Sequence, residues 1–420
     1  MSSIFEQRLQ QYAELALKVG LNLQPGQRLL VRGPYSNPGV SIQAAPLVRQ
    51  VVASAYRMGA RRVDVVWHDD QVLLSRLQHA PLDSIEEYPE WLAKGMLEYV
   101  ERGDAMLAIL AEDPGLLDKQ DPDRVARLQK AARQNLRPIS ECVSRNAINW
   151  LGLAAAIPGW AARVFPDVPA GAQPDRLWQA LFEICRLDRP DPLAAWQDHL
   201  SQLEARHVLL SARQYTALKL TGPGTDLTIG LPKGHIWRGG SVQSETGITF
   251  VPNLPTEEVF TLPDKDRAEG VVRATKPLSY GGALIEDFSL TFQGGRVVQA
   301  GARKGESILR KMLESDEGAG RLGEIALVPH SSPISQSGLL FYNTLLDENA
   351  ASHLALGRAY RFTLQGGEAL SPDGFAQAGG NHSLLHVDFM IGSGEIDVDG
   401  QREDGAIEPV MRQGEWAFEV

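Results

Sequence analysis

The order of elements in the first hundred residues constrains this chain most. "QRLLVRG" (27–33) and "RRVDVVWHD" (61–69) read as strands, and "AAPLVRQVVASAYRMGA" (44–60) between them reads as a helix closed by Gly59. A strand, a helix and a strand joined by short connections give a parallel pair with the helix covering one face. Residues 5–19 add an amphipathic helix in front, and "DAMLAILAED" adds a further strand after a helical stretch around 84–102. From about 122 to 206 the pattern is mostly helical, punctuated by prolines at 158, 166, 169, 174, 190 and 192.

Near residue 207 the character changes. "HVLLSA", "TALKLTG", "TDLTIGL" and "HIWRGG" are short β-rich runs set apart by Gly and Pro. "GVVRATKPL", "DFSLTFQGGRVVQAGA", "EIALVP", "YRFTLQG", "LLHVDFMIG" and "GEIDVDG" follow, interrupted by helices around 304–315 and 347–357. At 420 residues the chain exceeds one ordinary core. The expectation is therefore α/β throughout, in two domains. Residues 1–205 form an N-terminal helix-covered, largely parallel sheet, and residues 206–420 a C-terminal β-rich α/β domain.

Charge narrows the partners. A net charge of −11 repels nucleic acid and anionic membranes, and no basic cluster interleaved with aromatics reverses this locally. No apolar run approaches the roughly 18 residues of a membrane span. The opening helix carries charges throughout, unlike a signal peptide. Two cysteines, Cys142 and Cys185, are too few for a disulfide scaffold, so a reducing, cytoplasmic setting is expected.

Groups able to do chemistry collect in the second half. In "NHSLLHVDFMIGSG" (381–394), His386 and Asp388 stand two apart in an apolar run, and a strand turns both to one face. Glu324 begins the apolar strand of "GRLGEIALVP"; Glu348 and His353 flank a helix start in "DENAASHLALGRAY", with Tyr360 beyond. Glu257 and Glu258 lie between prolines on a loop or short strand. Acids embedded in apolar segments are costly unless paired or bound to cations. Imidazole nitrogens with carboxylate oxygens suit Zn, Co or Mn, and several carboxylates with two histidines can hold two ions across one bridging carboxylate.

Each residue also has an ordinary reading. His235 and His330 fit hydrogen-bonded core histidines, and Asn381 and His382 fit groups that orient ligands. Glu257 and Glu258 can be solvated loop charges, Glu348 a first-turn acid, and Tyr360 a strand aromatic. "LTGPGTDLTIGLPKG" lacks the strand–loop–helix context of a phosphate loop and reads as turns between strands.

Five stretches, "NLPTEEVFT", "PLSYGG", "DEGAGRLGEIALVPHSSPIS", "FYNTLLDENAASHLALGRAY" and "NHSLLHVDFMIGS", run in this order through the second half. Together they resemble the M29 family of metallo-aminopeptidases, the aminopeptidase T and aminopeptidase S group. "AYRMGARRVDVVWHDD" and "WAARVFPD" extend the resemblance loosely into the first half. The resemblance implies that Glu258, Glu324, His353, His386 and Asp388 are metal ligands, that Tyr360 lies at the metal centre, and that Glu348 is drawn into the site. It implies two divalent ions (Zn, Co, Mn or Mg), a homodimer, and short peptides with a free N-terminus as substrates. Arg358 and Gly159 depart from the family pattern outside the ligand set. In the chemistry expected, a metal pair lowers the pKa of a water, Glu258 or Glu324 takes its proton, and Tyr360 donates to the developing oxyanion. The rival readings are another two-metal hydrolase, such as an amidase or dipeptidase, and a non-catalytic metal-binding protein.

Overall fold

The computed structural model describes residues 3–34, 38–280 and 283–420; Gly281 and Gly282 of "PLSYGG" lie outside this range. The chain divides into two compact units, Met1–Asp198 with Ser241–Pro255, and His199–Gly240 with Thr256–Val420.

The first unit is built on a five-stranded sheet. Its strands are β1 (Arg28–Arg32), β2 (Arg62–Val65), β3 (Ala105–Leu110), β4 (Trp150–Ala154) and, at one edge, the Asn253–Leu254 strand. β1 pairs in parallel with both β2 and β3, and β3 in parallel with β4. The runs Leu29–Val31 and Ala105–Leu107 are buried without alternation, as expected where helices cover both faces of a parallel sheet. Helix α1 (Ala45–Arg57) buries Leu47, Val48, Val51, Ser54 and Ala55, one stripe at helical spacing. Gly59 follows at φ 92°, a left-handed backbone that lets the chain reverse into β2. The Asn253–Leu254 strand pairs in parallel with β4, so a short piece of the later sequence completes this sheet.

The second unit holds two antiparallel sheets. The larger has nine strands, with Ala217–Gly222, Thr225–Gly230, Ala268–Arg273 and Ala283–Gln293 at its heart. The smaller carries the candidate site residues: β5 (Val259–Thr261), β6 (Leu322–Leu327), β7 (His353–Gly357) and β8 (His386–Met390), in that spatial order. Leu322, Ile325, Leu327, Leu354, Leu356 and Phe389 join one buried apolar cluster with the large sheet.

Four local expectations are corrected. "HVLLSA" (207–212) belongs to helix α2 (Pro192–Arg213), whose Trp196, Leu203 and Leu210, seven apart, are buried. The helix expected over 347–357 is a short helix (Thr344–Asp347) and a 3-10 turn (Glu348–Ala350) followed by β7. "YRFTLQG" forms a 3-10 turn at Arg361–Thr363, and "HIWRGG" gives isolated bridges at His235 and Arg238 instead of a strand.

Candidate metal centre

Register across β6, β7 and β8 assembles one face. Glu324 pairs with Ala355, Ala355 with Asp388, and Gly357 with His386. Directly opposed residues share a face, as do residues two apart on one strand. Glu324, Ala355 and Asp388 therefore form a row, with His353 and His386 on the same face and only a methyl group at its middle. Glu258 enters from the residue preceding β5. A register shift between Leu322 and Glu324 marks a bulge in β6 just before the central glutamate.

The side chains converge. His353 Nε2 lies 3.2 Å from Glu258 Oε2 and 3.5 Å from Glu324 Oε1. His386 Nε2 lies 3.7 Å from Glu324 Oε2 and 3.4 Å from Asp388 Oδ1. Two groups of candidate ligand atoms result, Glu258–Glu324–His353 and Glu324–His386–Asp388, each within 4.8 Å. Glu324 belongs to both and turns one oxygen toward each.

These contacts are not ordinary hydrogen bonds. Glu258 Oε2 and Asp388 Oδ1 are buried yet have no aligned hydrogen-bond donor. Buried carboxylate oxygens left without donors are costly, so atoms crowding a shared point without bonding one another fit a cation between them. Both imidazoles are oriented from behind: His353 Nδ1 faces the Ala351 carbonyl at 3.1 Å, and His386 Nδ1 the Arg358 carbonyl at 2.7 Å. A proton on Nδ1 leaves Nε2 to coordinate, the arrangement usual in metal-ligating histidines. The donor set is imidazole and carboxylate without thiolate, a chemistry suited to divalent cations.

The electrostatics among these side chains agree. Burial and the charges of Asp388 and Glu258 push the Glu324 carboxyl up, against the pull of both histidines. Burial, then the charges of Glu258, Asp388 and Glu324, push Glu348 well above the usual carboxylate range. Burial alone would lower the histidines, but the facing carboxylates raise His353 strongly and hold His386 at about 9. Burial also works against ionised Asp388, yet its neighbours His386 and His353 hold it below the ordinary value. Burial, then the charges of Glu324 and Asp388, raise Tyr360, which stays a neutral phenol able to donate.

Tyr360 lies beyond β7 and caps the Arg361–Thr363 turn instead of standing on a strand; its ring centroid is 4.8 Å from that of His386. Glu348 acts on the same charges, but it is in neither ligand group. Glu257 is 1 % exposed, so it is no solvated loop charge; His199 Nε2 lies 3.5 Å from its Oε2. His235 is buried with Nδ1 on the Pro232 carbonyl, whereas His330 is exposed beside Ser335, contrary to the core reading. Asn381 does not orient ligands directly: its Nδ2 donates to the Gly318 and Gly357 carbonyls, and its own carbonyl accepts from Ala359. His382 is exposed. Sequence reasoning missed Asn349, fully buried, whose Oδ1 accepts the Glu257 amide at 2.7 Å and ties the Glu258 segment to the Glu348 turn. Its signal was a short amide side chain directly after an acid in "DENA".

The family model of thermophilic metalloproteases (M29) matches residues 5–416. Aminopeptidase 2 of Geobacillus stearothermophilus is 45 % identical over 416 residues, 99 % of each chain. Aminopeptidase T of Thermus thermophilus is 45 % identical over 412 residues, 98 % of this chain and 99 % of that one. The structure of wild-type AmpT from Thermus thermophilus matches with a TM-score of 0.91 at 45 % identity, covering 99 % of this chain and 100 % of that chain. With sequence and fold agreeing from end to end, and a carboxylate–imidazole cluster at the heart of the second unit, this chain belongs to the M29 family of metalloproteases.

Proposed function

We propose that this protein is a metal-dependent aminopeptidase that hydrolyses the first peptide bond of peptides at a dinuclear centre. The observation that carries the reading is Glu324, shared by two three-residue ligand groups and turning one oxygen to each. Glu258 and His353 would hold one ion and His386 and Asp388 the other, with Glu324 bridging. Bound divalent ions supply a water of lowered pKa and polarise the peptide carbonyl.

The chain's own groups do the rest. A carboxylate must take the water's proton and return it to the leaving amine. Glu258 and Glu324 were the candidates from sequence, but both fall within the ligand groups. Glu348 stands outside both groups, on the 3-10 turn just before β7 and within electrostatic reach of Glu258, Asp388 and Glu324, which suits it to the transfer. Tyr360, neutral and against His386, donates to the developing oxyanion. Carboxylates outnumber imidazoles around the site, so the surplus negative charge favours a cationic N-terminus over a blocked one.

We further infer short peptides as substrates, a homodimer and a cytoplasmic setting, the last supported by two free cysteines. The N-terminal α/β part carries none of the proposed ligands, and the C-terminal part carries all of them. Among the described residues, no helix is long and apolar enough to cross a membrane.

The test compares free and N-acetylated peptides on metal-loaded enzyme, with Glu348→Gln and Glu258→Gln beside the wild type. Cleavage of free peptides only is expected. Glu348→Gln should keep its metal and lose roughly a hundredfold or more in kcat, the scale of a missing general base. Glu258→Gln should lose metal as well. Equal cleavage of blocked peptides would instead favour a broader amidase.

A further inference from the structure

Arg358 stands two residues before the site's tyrosine, and its root is fixed. Its amide donates to the Leu385 carbonyl at 2.7 Å, and its own carbonyl holds His386 Nδ1 at 2.7 Å. Its guanidinium lies 6.0 Å from the Tyr360 ring centroid. Among the described residues no carboxylate lies within ion-pair distance of this guanidinium, and the residue is exposed. The guanidinium is therefore open to an incoming anion, in a chain with 52 acidic side chains against 41 Lys and Arg.

The surroundings form a wall. Tyr360 stacks on Phe362 with centroids 5.3 Å apart, and Phe260 meets both edge-on at 6.4 and 6.2 Å. Arg238 donates to the Phe362 carbonyl at 3.2 Å, which holds this wall in place. All three rings are only partly buried. A half-open aromatic platform beside His386, with an unpaired guanidinium at its edge, offers an apolar surface ending in one positive charge. Arginine in this role presents forked donors that match a carboxylate.

We propose that Arg358 is a specificity residue that reads a carboxylate on the substrate. The inference rests on the aminopeptidase reading, since the tyrosine it adjoins is assigned to the scissile carbonyl. Two sources supply such a group: the C-terminal carboxylate of a dipeptide, or an acidic side chain on the N-terminal residue.

The experiment uses metal-loaded enzyme and two substrate pairs. Leucyl-glycine against leucyl-glycinamide isolates the C-terminal carboxylate; glutamyl- against glutaminyl-p-nitroanilide isolates the acidic side chain. Wild type should favour the carboxylate member of one pair by roughly fivefold in kcat/KM, mostly through KM, the scale of an exposed charge-assisted contact. Arg358→Gln should erase that ratio and Arg358→Lys restore part of it. Ratios unchanged by Arg358→Gln overturn the proposal. Should that variant fold poorly, the wild-type preference must still shrink with rising salt, and a salt-independent preference overturns the proposal equally. Leucyl-p-nitroanilide is the control for the parent reading: no cleavage of it by wild type sinks that reading and this inference together, whereas cleavage without carboxylate preference sinks this inference alone.

Discussion

Asp388 and Asn349 show how single side chains divide the work of the site. Asp388 Oδ1 is buried without a hydrogen-bond donor, as the ligand role proposed for it requires. Asp388→Asn keeps the shape and removes the charge. Metal content should fall and aminopeptidase rate with it, while the protein still folds. Retained metal and activity would mean that His386 and Asp388 are merely a structural pair. Asn349, on the turn carrying Glu348, accepts the Glu257 amide with Oδ1 and donates with Nδ2 to the Leu345 carbonyl of the preceding helix. Asn349→Ala removes the acceptor of the buried Glu257 amide, a cost of about 1–3 kcal/mol. Thermal melts should show that loss together with weaker metal binding; a variant as stable as wild type would show the tie to be dispensable.

The strand is the unit that turns separate motifs into one site, and Ala355 is its hinge point. The residue sits between Glu324 and Asp388 in register and is fully buried, and its methyl leaves room where the ligands converge. Ala355→Leu should fill that space. We expect a folded protein that no longer takes up metal, measured by metal analysis alongside circular dichroism; full metal occupancy would mean the space lies elsewhere. Gly357 is constrained differently: at φ 103° a Cβ would come within 2.2 Å of the Leu385 carbonyl, so Gly357→Ala should push β8 and His386 outward. These elements also mark what the sequence could convey. The alternating pattern of "LLHVDFMIG" announced β8, and the apolar runs around Glu324 announced β6. β7 was misread because all five of its residues are buried, and a short buried run has no period to separate strand from helix. "HVLLSA" misled for the opposite reason: a short apolar run, Val208–Leu210, ended a 22-residue helix whose buried face repeats every seventh residue. The pairing that places Glu258, Glu324 and His353 together spans almost a hundred residues of chain, and local pattern carries no information about it. Only the family resemblance reached across that gap.

For the whole molecule, the site couples metal, protons and stability. Without metal, His386 is held at about 9 against an ordinary 6.5, and His353 is raised in the same direction. A raised folded-state value means this contribution to stability is fully present below pH 6.5 and is lost as pH rises through about 9. Coordination requires the opposite state, because only a neutral imidazole offers its nitrogen to an ion. Metal and proton therefore compete for the same Nε2 atoms. The metal-free protein should lose part of its thermal stability between pH 6.5 and 9, while the gain on adding Zn, Co or Mn should grow across that range. At saturation of about a hundred times the dissociation constant, the gain is about 2.7 kcal/mol. Melting curves with and without chelator at several pH values measure both slopes, and calorimetry should record proton release on metal binding near pH 7. A metal-induced gain that stays constant from pH 6 to 9, with no proton released, would mean that His353 and His386 do not bind the ions.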